Sequence, residues 1–166
     1  MVKVKFAALA VLILIALTAA FLHFFQSESR RIKKRFDSLA ETVEKAGDEH
    51  QIAAGAAARR VGRMFAESCR IRIPRQDISR DFTPDEIAAA VMRLRKHYER
   101  ISVDFNDIDI VFPEGERASV SLTASISGRT AGGEATRDVH ELACGMEKRE
   151  DGWVFYEIRV IEVLRR

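Results

Sequence analysis

At 166 residues, with 47% hydrophobic and 31% charged side chains, the chain suits one globular domain with a real core and does not fit a disordered or repeat polymer. Its 27 basic and 25 acidic residues include Lys3 and Lys5 ahead of Phe6, so everything beyond that point is formally neutral. This balance argues against a nucleic-acid partner, which needs clustered Lys and Arg, and the sequence has no Cys-x-x-Cys, His-Glu-x-x-His or phosphate-cradling glycine loop for a metal or nucleotide cofactor.

Three regions follow in chain order: a short basic tail over residues 1–5, a membrane anchor over residues 6–25 and a domain over residues 26–166. Phe6 to Phe25 is an uncharged run of twenty residues that would rise roughly 30 Å as a helix, the hydrocarbon thickness of a bilayer, so the lipid bilayer is the first expected partner. Lys3, Lys5 and the Thr18-Ala19-Ala20 stretch also fit a cleaved signal peptide, but the apolar run continues through Phe24 and Phe25, which favours an uncleaved single-pass anchor. Arg30, Arg31, Lys33, Lys34 and Arg35 follow it and read as a solvated helix start near head groups. By the positive-inside rule they would hold the domain in the cytoplasm; the signal-anchor reading places it outside, periplasmic in a bacterium, and is the one adopted.

Within the domain, Ile32, Phe36, Leu39 and Val43 recur at helical spacing and predict a first helix from about Ser29 to Ala46, broken at Gly47-Asp48. An alanine-rich second helix is expected from Glu49 to Ser68. Arg70 to Ile73 alternates like a short strand before Pro74. Thr83-Pro84-Asp85-Glu86 supplies a Thr N-cap, Pro at the first helical position and Glu three residues after the cap, with Phe82 and Ile87 placed for a hydrophobic staple. The third helix then runs to His97 or Tyr98.

From Ile101 the repeat changes to two. Strands are expected over Ile101 to Phe112, with a bulge near Asn106-Asp107 where the apolar parity shifts, then Arg117 to Arg129, Glu134 to Lys148 and Trp153 to Val163. The fold class is therefore α+β: three N-terminal helices on a curved four-stranded antiparallel sheet, preceded by one transmembrane helix. The element order, the Pro84-Asp85-Glu86-Ile87 helix start and the closing strand from Asp151 to Val163 resemble the nuclear transport factor 2-like superfamily, also called cystatin-like or polyketide-cyclase-like. That resemblance covers about Ile32 to Val163 and implies a cone-shaped sheet around a pocket.

Members of that superfamily include isomerases, dehydratases and hydrolases whose acid and base groups line the cone. Asp104 and His140 are the candidate bases, although His140 also reads as a strand histidine at a rim or outer face. Glu141, its neighbour, must point the opposite way. Tyr98, Tyr156 and Trp153 are the candidate ligand-pocket residues, and each also suits the core. Cys69 and Cys144, the only cysteines, are buried thiols or a disulfide. No metal site or cofactor is expected.

The leading functional reading is a membrane-anchored, non-catalytic interaction or small-ligand-binding domain, a layout that resembles an inner-membrane scaffold component of type IV secretion systems. A homodimer or protein partner on the open sheet face belongs to the same reading. The alternative is a small-molecule isomerase, dehydratase or cyclase using the cone pocket.

Overall fold

The computed structural model describes residues 25–47 and 50–164. The predicted tail and anchor lie outside them except for Phe25, and among the described residues no helix is long and apolar enough to cross a membrane. Helix α1 (25–43) turns Ile32, Phe36 and Val43 inward, as their spacing requires. It is followed by α2 (Gln51–Gly62), β1 (Phe65–Ile73), β2 (Ile78–Phe82), α3 (Pro84–His97), β3 (Tyr98–Glu114), β4 (Arg117–Thr130), β5 (Ala135–Arg149) and β6 (Gly152–Leu164).

The strands form one sheet in the order β2-β1-β6-β5-β4-β3. It has six strands where four were expected, and it is mixed, because β1 runs parallel to β6 with Ile71 opposite Ile158. Two features accompany the difference. A Cβ at Gly62 would lie 2.6 Å from the Pro84 carbonyl oxygen, so α2 touches the start of α3 there and ends, and Phe65 to Ser68, predicted as the tail of α2, become the start of β1. Asp77, at φ 52°, turns the chain back so that β2 pairs antiparallel with β1.

The start of α3 and the β3 bulge fall where the sequence predicts them. Thr83 Oγ1 accepts from the Glu86 amide at 3.3 Å while Glu86 Oε2 accepts from the Thr83 amide at 2.9 Å, a complete capping box. The β3 bulge falls between Asn106 and Asp109, with Asp107 at φ 53°.

The helices cover one face of the sheet, here called the inner face. Along β4 its residues are Ala118, Val120, Leu122 and Ala124, all buried; directly opposite them on β5 stand Met146, Cys144, Leu142 and His140. Phe36 of α1 fills the middle, edge to face with Phe105 at 5.3 Å and with Phe155 at 5.1 Å, and Phe65 packs on Phe155 at 5.2 Å. Each fully buried ring of this kind contributes roughly 2–3 kcal/mol relative to exposure.

Both ends of α1 are tied down by polar side chains. Near its start the buried Glu28 carboxylate accepts from Trp153 Nε1 at 2.7 Å and from Lys148 Nζ at 3.1 Å, and Arg35 Nε donates to the Trp153 carbonyl at 2.8 Å. Burial by itself would raise the Glu28 carboxyl, but the hydrogen bonds from Trp153 and Lys148 and the charges of Lys148 and Arg31 outweigh it and hold the group below the usual carboxylate range. At the far end, Arg95 of α3, only 5% exposed, donates to the carbonyls of Thr42, Val43 and Glu44 at 2.7, 2.9 and 3.0 Å. These are the orphan acceptors of a helix C-terminus, and a guanidinium is well suited to gather them.

Candidate functional site

Strand register decides which candidate residues enter the cone. On β5, Thr136, Asp138 and His140 stand opposite Gly128, Ile126 and Ala124, all on the inner-face side of β4. His140 therefore lies inward, in line with Leu142, Cys144 and Met146, and not at a rim or on the outer face. Its Nδ1 is buried without a hydrogen-bond partner among the described residues. Leaving such an atom unpaired costs about 1–3 kcal/mol, and a structural role would ordinarily satisfy it.

Asp138 shares that face two residues away, about 7 Å along the strand, at its solvent-exposed end. Sequence reasoning passed over it, although the alternation of Leu142, Cys144 and Met146 carried the parity needed to find it. One row further on, the Tyr98 ring lies over Gly128, where a Cβ would stand 2.7 Å from the ring. Thr136 Oγ1 donates to the Tyr98 hydroxyl oxygen at 3.4 Å, so the phenol keeps its own proton to give.

An open hollow of about 720 Å³ adjoins this end of the sheet, lined by Lys45, Arg100, Ile101, Gly128, Arg129 and Thr136 among others. Asp138 and His140 do not line it. Thr136 does, and it belongs to the same inward row as both. Lys45 Nζ at its edge donates to the carbonyls of Arg95 and Tyr98 at 3.0 and 2.9 Å, fixing the junction of α3 and β3.

The remaining candidates lie elsewhere. Asp104 pairs with Ser125 and alternates with the buried Val103, so it is exposed on the outer face and cannot serve as a base in the cone. Tyr156 also faces outward, its ring against Gly145 and 5.7 Å from the Arg117 guanidinium. Trp153 is 3% exposed and hydrogen-bonded to Glu28, which makes it part of the core rather than a pocket wall. Glu141 faces out, opposite Thr123, as its adjacency to His140 requires.

Cys69 and Cys144 are free buried thiols and not a disulfide. They sit on β1 and β5 with β6 between, roughly two strand spacings or 10 Å apart, beyond the Cα separation a bridge spans. Burial pushes both thiols up to about 12, which leaves neither as a ready nucleophile.

No protein-family model matches the sequence, and no curated protein matches it. Solved structures do. A candidate scytalone dehydratase from Novosphingobium aromaticivorans superposes with a TM-score of 0.66 at 13% identity, covering 85% of this chain and 89% of that one. A candidate dehydratase of the nuclear transport factor 2-like family from Streptomyces avermitilis gives 0.66 at 12%, covering 84% and 99%. A hexachlorocyclohexane dehydrochlorinase of type 2 gives 0.64 at 12%, covering 84% and 88%. The fold is the nuclear transport factor 2-like one.

Proposed function

We propose that this domain binds a small, largely apolar molecule at the inward patch of Tyr98, Asp138 and His140 and moves a proton on it, as an isomerase, dehydratase or other lyase does. The observation that carries this reading is the buried Nδ1 of His140 on the helix-covered face, which has no hydrogen-bond partner among the described residues. Imidazole is the side chain that most readily takes up and returns a proton near neutral pH. Here a proton leaving carbon would pass to His140, and Asp138, two residues away on the same face, would steady the imidazolium, while Tyr98, whose hydroxyl meets Thr136 further along β5, would contact a more distant part of the ligand. The reaction needs no cofactor. Dehydratase and dehydrochlorinase names among the structures of like fold support the same class of chemistry.

Proton abstraction can be tested before the substrate is known. Incubated in D₂O with a panel of cyclic ketones, the full-length protein should exchange α-hydrogens faster than His140→Asn. Equal rates for the two proteins across the panel would remove the catalytic reading.

A second reading, a non-catalytic interaction domain, is favoured by the filling of the mid-cone with Phe36, Phe105 and Phe155. It predicts ligand or partner binding that His140→Asn leaves intact, or self-association through the outer sheet face seen as concentration-dependent mass. Under either reading we place the domain at a bilayer, tethered through Phe6 to Phe25 and facing away from the cytoplasm. Alkaline extraction tests the tether, and labelling in intact cells of a cysteine introduced at an exposed position, with an impermeant reagent, tests the side. A fully extracted chain, or one labelled only after lysis, contradicts the corresponding part.

A further inference from the structure

Phe25, the last residue of the apolar stretch, is already packed on the domain. Its ring meets Phe112 of β3 edge to face at 5.1 Å, and Phe112 stands 5.9 Å from Trp153. Three residues later Glu28 closes under Trp153 and Lys148, so no spacer separates the apolar stretch from the fold. At 1.5 Å per residue, Arg30 to Lys34 lie roughly 7–14 Å beyond Phe25 along α1. That is head-group depth and a little beyond, within reach of about one Debye length.

The outward side of this stretch is uniformly basic. Ile32 and Phe36 turn in, while Arg30, Arg31, Lys33 and Lys34 are exposed. The nearest acid, Glu28, is buried and engaged, and the first exposed acid is Asp37. Helices α1, α2 and α3 together carry ten basic and five acidic side chains in a domain that is neutral overall, while β3 alone carries five acids and one base. The helices are thus net basic and β3 net acidic, while β1, β2, β5 and β6 mix both signs.

We infer that the outward basic face of α1 is a docking surface for an anionic bilayer and holds the domain flush against the head groups. This rests on the tether proposed above. On the two neighbouring hairpin turns the exposed acids Glu114, Glu116, Glu150 and Asp151 outnumber the exposed Arg117 and Arg149, so the same surface repels those turns and the domain tilts α1 toward the lipid. Each Lys or Arg near such a surface strengthens binding about fivefold.

The test uses the full chain with Asp37→Cys carrying a fluorescent donor, reconstituted in vesicles whose head groups carry an acceptor. The buried Cys69 and Cys144 remain unlabelled. Energy transfer should be higher in phosphatidylcholine containing about 30% phosphatidylglycerol than in phosphatidylcholine alone. It should fall to the lower value in roughly 0.5 M salt, where screening is nearly complete. R30Q/K33Q/K34Q should do the same at unchanged melting temperature; Arg31 is kept because it pairs with Glu28 at 3.5 Å. Equal transfer in the two lipids overturns the docking surface while leaving the tether standing. A chain that fails to float with either vesicle overturns both.

Discussion

At the β5–β6 turn, Glu28 is enclosed with Trp153 and Lys148 and each polar atom there has found a partner. At the opposite end of the same sheet face, beyond Phe36, His140 keeps a buried nitrogen without a partner among the described residues, with Asp138 two residues away on the same face. One end invests its residues in holding α1 to the sheet. The other gives up stability at a polar group, and an unsatisfied polar group on an otherwise completed face is where function is expected.

Breaking the contacts that hold α1 to the sheet should be costly. Phe155→Ala removes a fully buried ring touching Phe36 and Phe65 and should lower unfolding free energy by about 3–5 kcal/mol in denaturant titration. Arg95→Met keeps the bulk but strips three carbonyls of their donor, with an expected loss of about 2–3 kcal/mol and earlier fraying of the C-terminal turn of α1 in hydrogen exchange.

Glu28→Gln should cost about 1–2 kcal/mol at neutral pH, since a neutral acceptor replaces a charged one. Its pH signature is more telling than its size. The folded Glu28 carboxyl titrates below its unfolded value of about 4.3, so its contribution is complete above that value and is lost as pH falls through the folded one. Melting temperature measured downward from pH 5 should therefore drop more steeply in the wild type than in the variant.

The smallest effect is expected at the other end and decides the comparison. His140→Leu should leave stability within about 1 kcal/mol of the wild type, or raise it, because it removes an unpaired buried atom. A loss of several kcal/mol would make His140 an ordinary core residue and erase the contrast between the two ends.

Local signals in the sequence were enough for α3, whose cap is encoded within four residues, and for the β3 bulge, where apolar parity shifts within one strand. They were not enough for β1 and β2. Phe65 and Ala66 continue the helical stripe of α2, and what overrides it is pairing with β6, a contact no local window contains. The site divided in the same way. His140 was legible as a residue type, and its side of the sheet follows from counting parity back through Cys144 and Leu142 from Met146 once the inner face is known. Tyr156 faces out as the neighbour of the inward Phe155, and the one-position slip between Gly145 and Met146 then returns Ile158 to the inner face.

The parallel pairing of β1 with β6 joins Phe65 to Phe155, about ninety positions apart along the chain. Until β6 exists, β1 and the β2 strand hinged to it have no ladder to join, and the buried Cys69 and Phe65 stay in water. Assembly must therefore finish at this seam and be slow relative to the local β3–β6 meander. A nascent or truncated chain lacking β6 would expose an unpaired strand edge, the situation in which holding chaperones are needed.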